Sequence, residues 1–209
     1  MKGRISAWIF CLTALAMSTA CMNIGPSRSS DTRFYLLDSQ PAKTMTPTEK
    51  SRFSKLSIGI GPVHIPTYLD RPQIVTRTDH HELIINDFHQ WAEPLEVNIA
   101  RVVREVLAAN TGAGNTFFYP WRQSDVIDLQ IRMEVIQFDA DGKGDVTLSV
   151  FWRLFDVDLN RLLVEKRSTV VSPSQGSDTA QLVETMSKAL VLLSQEIAVA
   201  MTTVVSPAS

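Results

Sequence analysis

Apolar positions along this 209-residue chain recur with two periods, and the switches between them mark out its elements. Phe34, Tyr35, Leu36 and Leu37 form a short apolar strand candidate. Residues 39–54 are polar, contain Pro41 and Pro47, and predict a surface loop. Leu56, Ile58 and Ile60 then alternate with Ser57, Gly59 and Gly61, the pattern of a half-buried strand that Pro62 and Pro66 close. Residues 73–77 and 82–85 predict a short strand pair around Thr78, Asp79, His80 and His81.

A helix follows. Pro94 suits its first turn. Leu95, Ile99, Val102, Val103 and Val106 fall on one face, opposite Glu96, Arg101, Arg104 and Glu105, and Gly112 supplies a left-handed stop after Asn110 and Thr111. Ile127, Leu129, Ile131, Met133 and Val135 return to period 2, with a phase slip at Val135 and Ile136 that predicts a bulge. Residues 139–145 turn the chain into a second strand, whose buried face is Val146, Leu148, Val150, Trp152 and Leu154. Asp158, Leu159 and Asn160 turn it again into 162–171. Asp178, with Gln181 three residues on, opens a last helix with Leu182, Met186, Ala189, Leu190, Leu193 and Ile197 on its apolar face. This order predicts one α+β domain over 33–205, a largely antiparallel mixed sheet with two amphipathic helices packed on one face. Phe151 and Phe155 lie opposite the buried face of their strand. A covering loop is expected over them, against the competing reading of an exposed aromatic patch at an interface.

The N-terminus changes the picture. Lys2 and Arg4 precede an apolar run over 5–17, and Ser18, Thr19 and Ala20 lead into Cys21, the layout of a secretory signal over 1–20. The run is too short to span a bilayer. Cys21 stands where a bacterial lipoprotein is acylated, and residues 21–32, rich in Ser with Gly25 and Pro26, form a flexible tether. Ser18 and Ala20 also fit ordinary secretory cleavage, and Ser18 replaces the Leu usual three residues before a lipidated cysteine. Met22, in place of Asp, favours the outer over the inner membrane by resemblance to enterobacterial sorting signals.

Charge and cysteine count narrow the classes. Residues 1–20 hold two basic and no acidic residues, so the remaining 189 carry 18 against 22, a net −4 where the whole chain has −2. That argues against a general nucleic-acid binder, which would show a basic face. With Cys11 inside the signal, no internal disulfide can form after cleavage, and the domain relies on its core.

Candidate chemistry is sparse. Asp139, Asp141 and Asp145 resemble a calcium loop, but Lys143 occupies a ligand position and Val150 the place of the bidentate Glu, so a Gly-rich hairpin turn is expected. His64, His80, His81 and His89 offer no metal-ligand spacing, because neighbours on a strand point to opposite faces. No nucleophile elbow, metalloprotease helix or phosphate loop appears, and neither a catalytic residue nor a cofactor is expected. The purposeful stretch is 62–77. Its prolines stiffen a loop, and Tyr68, Arg71 and Arg77 are residue types that anchor interfaces. Beyond it, Trp91 and Glu93 precede the helix start. The plainer reading makes both segments ordered connectors, with Asp70 bonded to Arg71 or Arg77 and Trp91 packed in the core.

These residues closely resemble the PqiC/YmbA family, auxiliary lipoproteins of ABC-type lipid-transport systems. The matching pieces are 34–37, the Gly-Pro-Val-x-Ile-Pro-x-Tyr-Leu-Asp-Arg-Pro-Gln-Ile-Val-x-Arg stretch at 61–77, and Trp-Ala-Glu-Pro-Leu at 91–95. The resemblance implies a lipid-anchored protein on the periplasmic face of the outer membrane. It would serve as the docking subunit of a PqiB-like MCE protein, assemble into ring-shaped homo-oligomers, support envelope integrity and carry no catalytic residue. On these motifs, Tyr68, Leu69, Asp70, Arg71, Pro72, Arg77, Trp91, Glu93, Pro94 and Leu95 are the candidate partner-binding residues. Two other readings compete: a periplasmic carrier with its own lipid pocket, and a periplasmic hydrolase, against which the missing motifs weigh.

Overall fold

The computed structural model describes residues 31–39, 53–78, 81–174, 176 and 178–204. The signal, Cys21, nearly all of the tether, most of the expected loop over 39–54, and Asp79 and His80 lie outside the described residues. From Thr32 onward the chain is one compact α+β unit.

Among the described residues, eight strands and two helices follow one another: β1 (Arg33–Tyr35), β2 (Ser57–His64), β3 (Gln73–Arg77), β4 (Leu83–Trp91), α1 (Leu95–Thr111), β5 (Asn115–Phe118), β6 (Leu129–Ala140), β7 (Val146–Asp156), β8 (Arg161–Ser172) and α2 (Thr179–Val204). The strands form two sheets where one was expected, three strands in the order β1-β4-β3 and five in the order β5-β2-β6-β7-β8. The β6-β7-β8 meander and the β3-β4 pair are antiparallel, as the alternation predicts. β2 runs parallel to both β5 and β6, and β1 runs parallel to β4. The bulge at Val135–Gln137 is present.

The expected half-buried strand over 56–60 is corrected: β2 is central and buried on both faces. Ile58 and Ile60 are in the core, and a Cβ on Gly59 would stand 2.9 Å from both Ile127 Cγ2 and Trp121 Cζ3. Pro62 does not close β2. The strand continues to His64 through a register shift between Ile60 and Val63, an irregularity at which a strand tolerates proline. β5 was not foreseen. Phe53, which falls at the end of the expected surface loop, is fully buried.

Both helices match their predicted faces. Leu95, Ile99, Val102, Val103 and Val106 are buried, and Gly112 closes α1 at φ 65°, ψ 26°. The Asp178 carboxylate accepts the Gln181 N–H at 2.8 Å and caps α2. The helices pack on each other, α1 against β2 and β5, α2 against β7 and β8. α2 is long and apolar enough to cross a membrane, but half of its most apolar window is buried within the fold, as befits a core helix. Phe151 and Phe155 are half-buried under arginines and not under a loop: Arg153 lies 4.7 Å over Phe151 and Arg132 4.4 Å over Phe155.

Candidate functional site

The two motif segments meet because β4 ends beside the start of β3, where the preceding loop ends. After β2 the chain turns through Pro66, with Leu69 N–H bonding to the Pro66 carbonyl at 2.9 Å and Arg71 N–H to that of Leu69 at 2.8 Å. Leu69 is 3 % exposed and pins the turn into the core. Trp91 N–H then bonds the Pro72 carbonyl at 2.6 Å, and Ala92 N–H that of Tyr35 at 2.9 Å. Residues 70–72 and 91–95 line a cleft of about 290 Å³. Its walls hold two prolines, the edge of the buried Trp91, and the first turn of α1, whose leading N–H groups favour negative charge.

Arg71 Nε is buried at this cleft without a hydrogen-bond partner among the described residues. Glu93 is committed elsewhere: it pairs with Arg101 at 3.1 Å, and Arg101 also donates to the Leu37 carbonyl and to Asn98 Oδ1, each at 2.8 Å. This knot ties the end of β1 to α1.

Tyr68 and Arg77 sit apart from the cleft. Both serve Asp139, which is 1 % exposed on β6: Tyr68 donates to Oδ2 at 2.9 Å, Arg77 Nη2 to Oδ2 at 3.0 Å, and Gln137 to Oδ1 at 2.8 Å. Burial, then the neighbouring Asp139 carboxylate, pushes the Tyr68 hydroxyl from 10.0 up to about 12. The hydrogen bond to Asp139 also holds Arg77 above its ordinary value. Arg77 therefore pairs with Asp139 and not with Asp70. Asp139 is the residue that sequence reasoning misplaced, as a turn aspartate. Beyond the bulge Phe138 and Ala140 continue the core face, and Asp139 lies on the opposite face, buried under Tyr68 and Arg77, which no local pattern marks.

The remaining candidates fall into place. Asp141 Oδ1 accepts the N–H groups of Lys143 and Asp145 at 2.8 and 3.0 Å, which makes 141–145 a hairpin turn and leaves Asp139 and Ala140 on β6. Among the described residues no three His, Cys, Asp or Glu side chains converge to hold a metal. His89 is stacked on Tyr35 and accepts or donates a 2.7 Å hydrogen bond with its hydroxyl.

Comparison with solved structures supports the architecture. A crystal structure of an uncharacterized protein aligns at TM-score 0.66 and 18% identity, covering 82% of this chain and 99% of its own. Protein XCC0632 from Xanthomonas campestris, of family DUF330, aligns at TM-score 0.65 and 18% identity, covering 82% and 96%. At this identity the likeness is one of fold. Comparison with curated proteins finds no match. Residues 35–198 match the family described as the ABC-type transport auxiliary lipoprotein component, and the chain belongs to that family.

Proposed function

We propose that this auxiliary lipoprotein is the docking subunit of a PqiB-like MCE lipid-transport system. It is anchored through acylated Cys21 to the periplasmic face of the outer membrane, works as a ring-shaped homo-oligomer, supports envelope integrity and performs no catalysis. The observation that carries the reading is the convergence of the two motif segments on one cleft. Residues 70–72 and 91–95 flank the β3–β4 hairpin, and together they build the cleft's walls around a guanidinium nitrogen that is buried without a partner among the described residues. An unmet buried donor is costly and is satisfied when a partner supplies an acceptor.

Within this reading Asp70, Arg71, Pro72, Trp91, Glu93, Pro94 and Leu95 form or support the docking wall. Leu69 anchors the loop, and Tyr68 and Arg77 hold β3 against β6. Capture of the full-length protein from intact envelope, with crosslinking before extraction, tests it. An MCE-domain protein is expected among the captured partners; its absence from repeated captures would sink the proposal.

A further inference from the structure

A trough of about 490 Å³ runs beside the first half of α1. Ile60 and Val63 of β2 form its floor, Val97 and Ala100 of α1 one wall, and Phe118 and Tyr119, at the end of β5, the other. A second cavity of about 330 Å³ shares Pro62, His64 and Tyr119 with it and opens onto the face of β6 and β7 that carries Arg132 and Arg153. By the register of Ile60 with Ile131, Val63 with Met133 and His64 with Glu134, the trough lies on the helix-facing side of the sheet and the second cavity on the other; the two meet around β2 at Pro62, His64 and Tyr119, apolar on one side and cationic on the other. Each volume lies within the roughly 300–1,000 Å³ of small-molecule sites, which are mostly apolar with a few placed polar groups.

The charges give it a direction. Arg132 and Arg153 are directly opposite each other in the β6-β7 ladder, a placement in which like charges repel. Arg153 is neutralised by Glu165 at 2.6 Å. Arg132 donates to Gln130 Oε1 at 2.9 Å and lies over Phe155, but pairs with no carboxylate among the described residues; Glu134, two residues along the same strand and lining the same cavity, forms no ion pair with it. At the other end Glu96 has Oε2 buried without a hydrogen-bond partner, which repels an anion there.

We propose that this feature binds an anionic amphiphile, with its acyl chain in the trough and its head group at Arg132. The site is separate from the motif cleft and independent of partner docking. A charge-assisted hydrogen bond at Arg132 supplies the preference for an anionic head, and burial of the chain against the trough residues supplies most of the attraction.

The test is photolabelling of the full-length protein, reconstituted in nanodiscs, with diazirine-bearing palmitic acid and, in parallel, the matching neutral alcohol. Peptide mass spectrometry is expected to place adducts within residues 60–64, 96–100 and 118–119. Arg132→Gln should lower labelling by the acid about tenfold while leaving the alcohol unchanged. Val97→Trp, which fills the exposed side of the trough, should lower both. Each variant is compared with the parent by circular dichroism, so that a folding defect in one leaves the other as the test. Adducts elsewhere, or acid labelling that survives both substitutions, would overturn the proposal. Capture of the transport partner should be unchanged by Arg132→Gln, which separates a failure here from a failure of docking.

Discussion

Asp139 is a buried charge that ties several elements together. Its carboxylate accepts hydrogen bonds from Tyr68, Arg77 and Gln137 and so joins the loop before β3, β3 itself and β6. Replacing it with Ala removes the buried carboxylate that both Tyr68 and Arg77 bond. Asp139→Ala should lower the unfolding free energy by about 3 kcal/mol, read by urea denaturation. Tyr68 makes a second prediction at this scale. Its folded-state value of about 12 is higher than the 10.0 of an unperturbed tyrosine, so the folded protein holds this proton more tightly. The contribution is fully present below pH 10 and is lost as pH rises from 10 toward 12. Denaturation midpoints across that range should fall in the parent and fall less steeply in Tyr68→Phe.

At the scale of elements, the helix caps decide where the helices begin and end. Asp178→Ala removes the side-chain acceptor at the start of α2 and should cost about 1 kcal/mol, a fall in Tm of about 2–4 °C for a domain of this size. Both helices were legible in sequence because a 3.6-residue period and a cap are local signals. The β6-β7-β8 meander was legible for the same reason: strict alternation and a Gly-rich turn join neighbours in the chain. β5 was not. It is four residues long, between Gly114 and Pro120, and among the described residues it pairs with β2 alone, in parallel and some 58 residues away in the chain. Parallel pairing leaves no mark on adjacent residues. The half-buried reading of β2 failed because Gly59 looks polar in a binary pattern, whereas it is small so that Trp121 and Ile127 can close over it. The motif segments at 61–77 and 91–95 were visible as candidates. Their meeting was not, since it rests on the Trp91–Pro72 backbone bond.

For the whole molecule, the family places a folded domain next to a membrane. Under the proposed acylation of Cys21, the 12 residues from Cys21 to Thr32, at most about 40–43 Å when fully extended, would keep the domain close to the bilayer. Cys21→Ser should therefore move the protein from the membrane fraction to the soluble fraction of a lysed envelope. Continued sedimentation would mean that a partner or the domain's own surface holds it there. Docking itself is tested most directly by capture from crosslinked envelope with the parent protein and with Ala92→Arg, which puts a bulky charge into the exposed mouth of the motif cleft. A Lys143→Glu variant, at the distant hairpin turn, serves as the control. The expected result is an MCE-domain protein recovered with the parent and with Lys143→Glu and lost with Ala92→Arg. Equal recovery with all three would contradict the cleft as the docking surface.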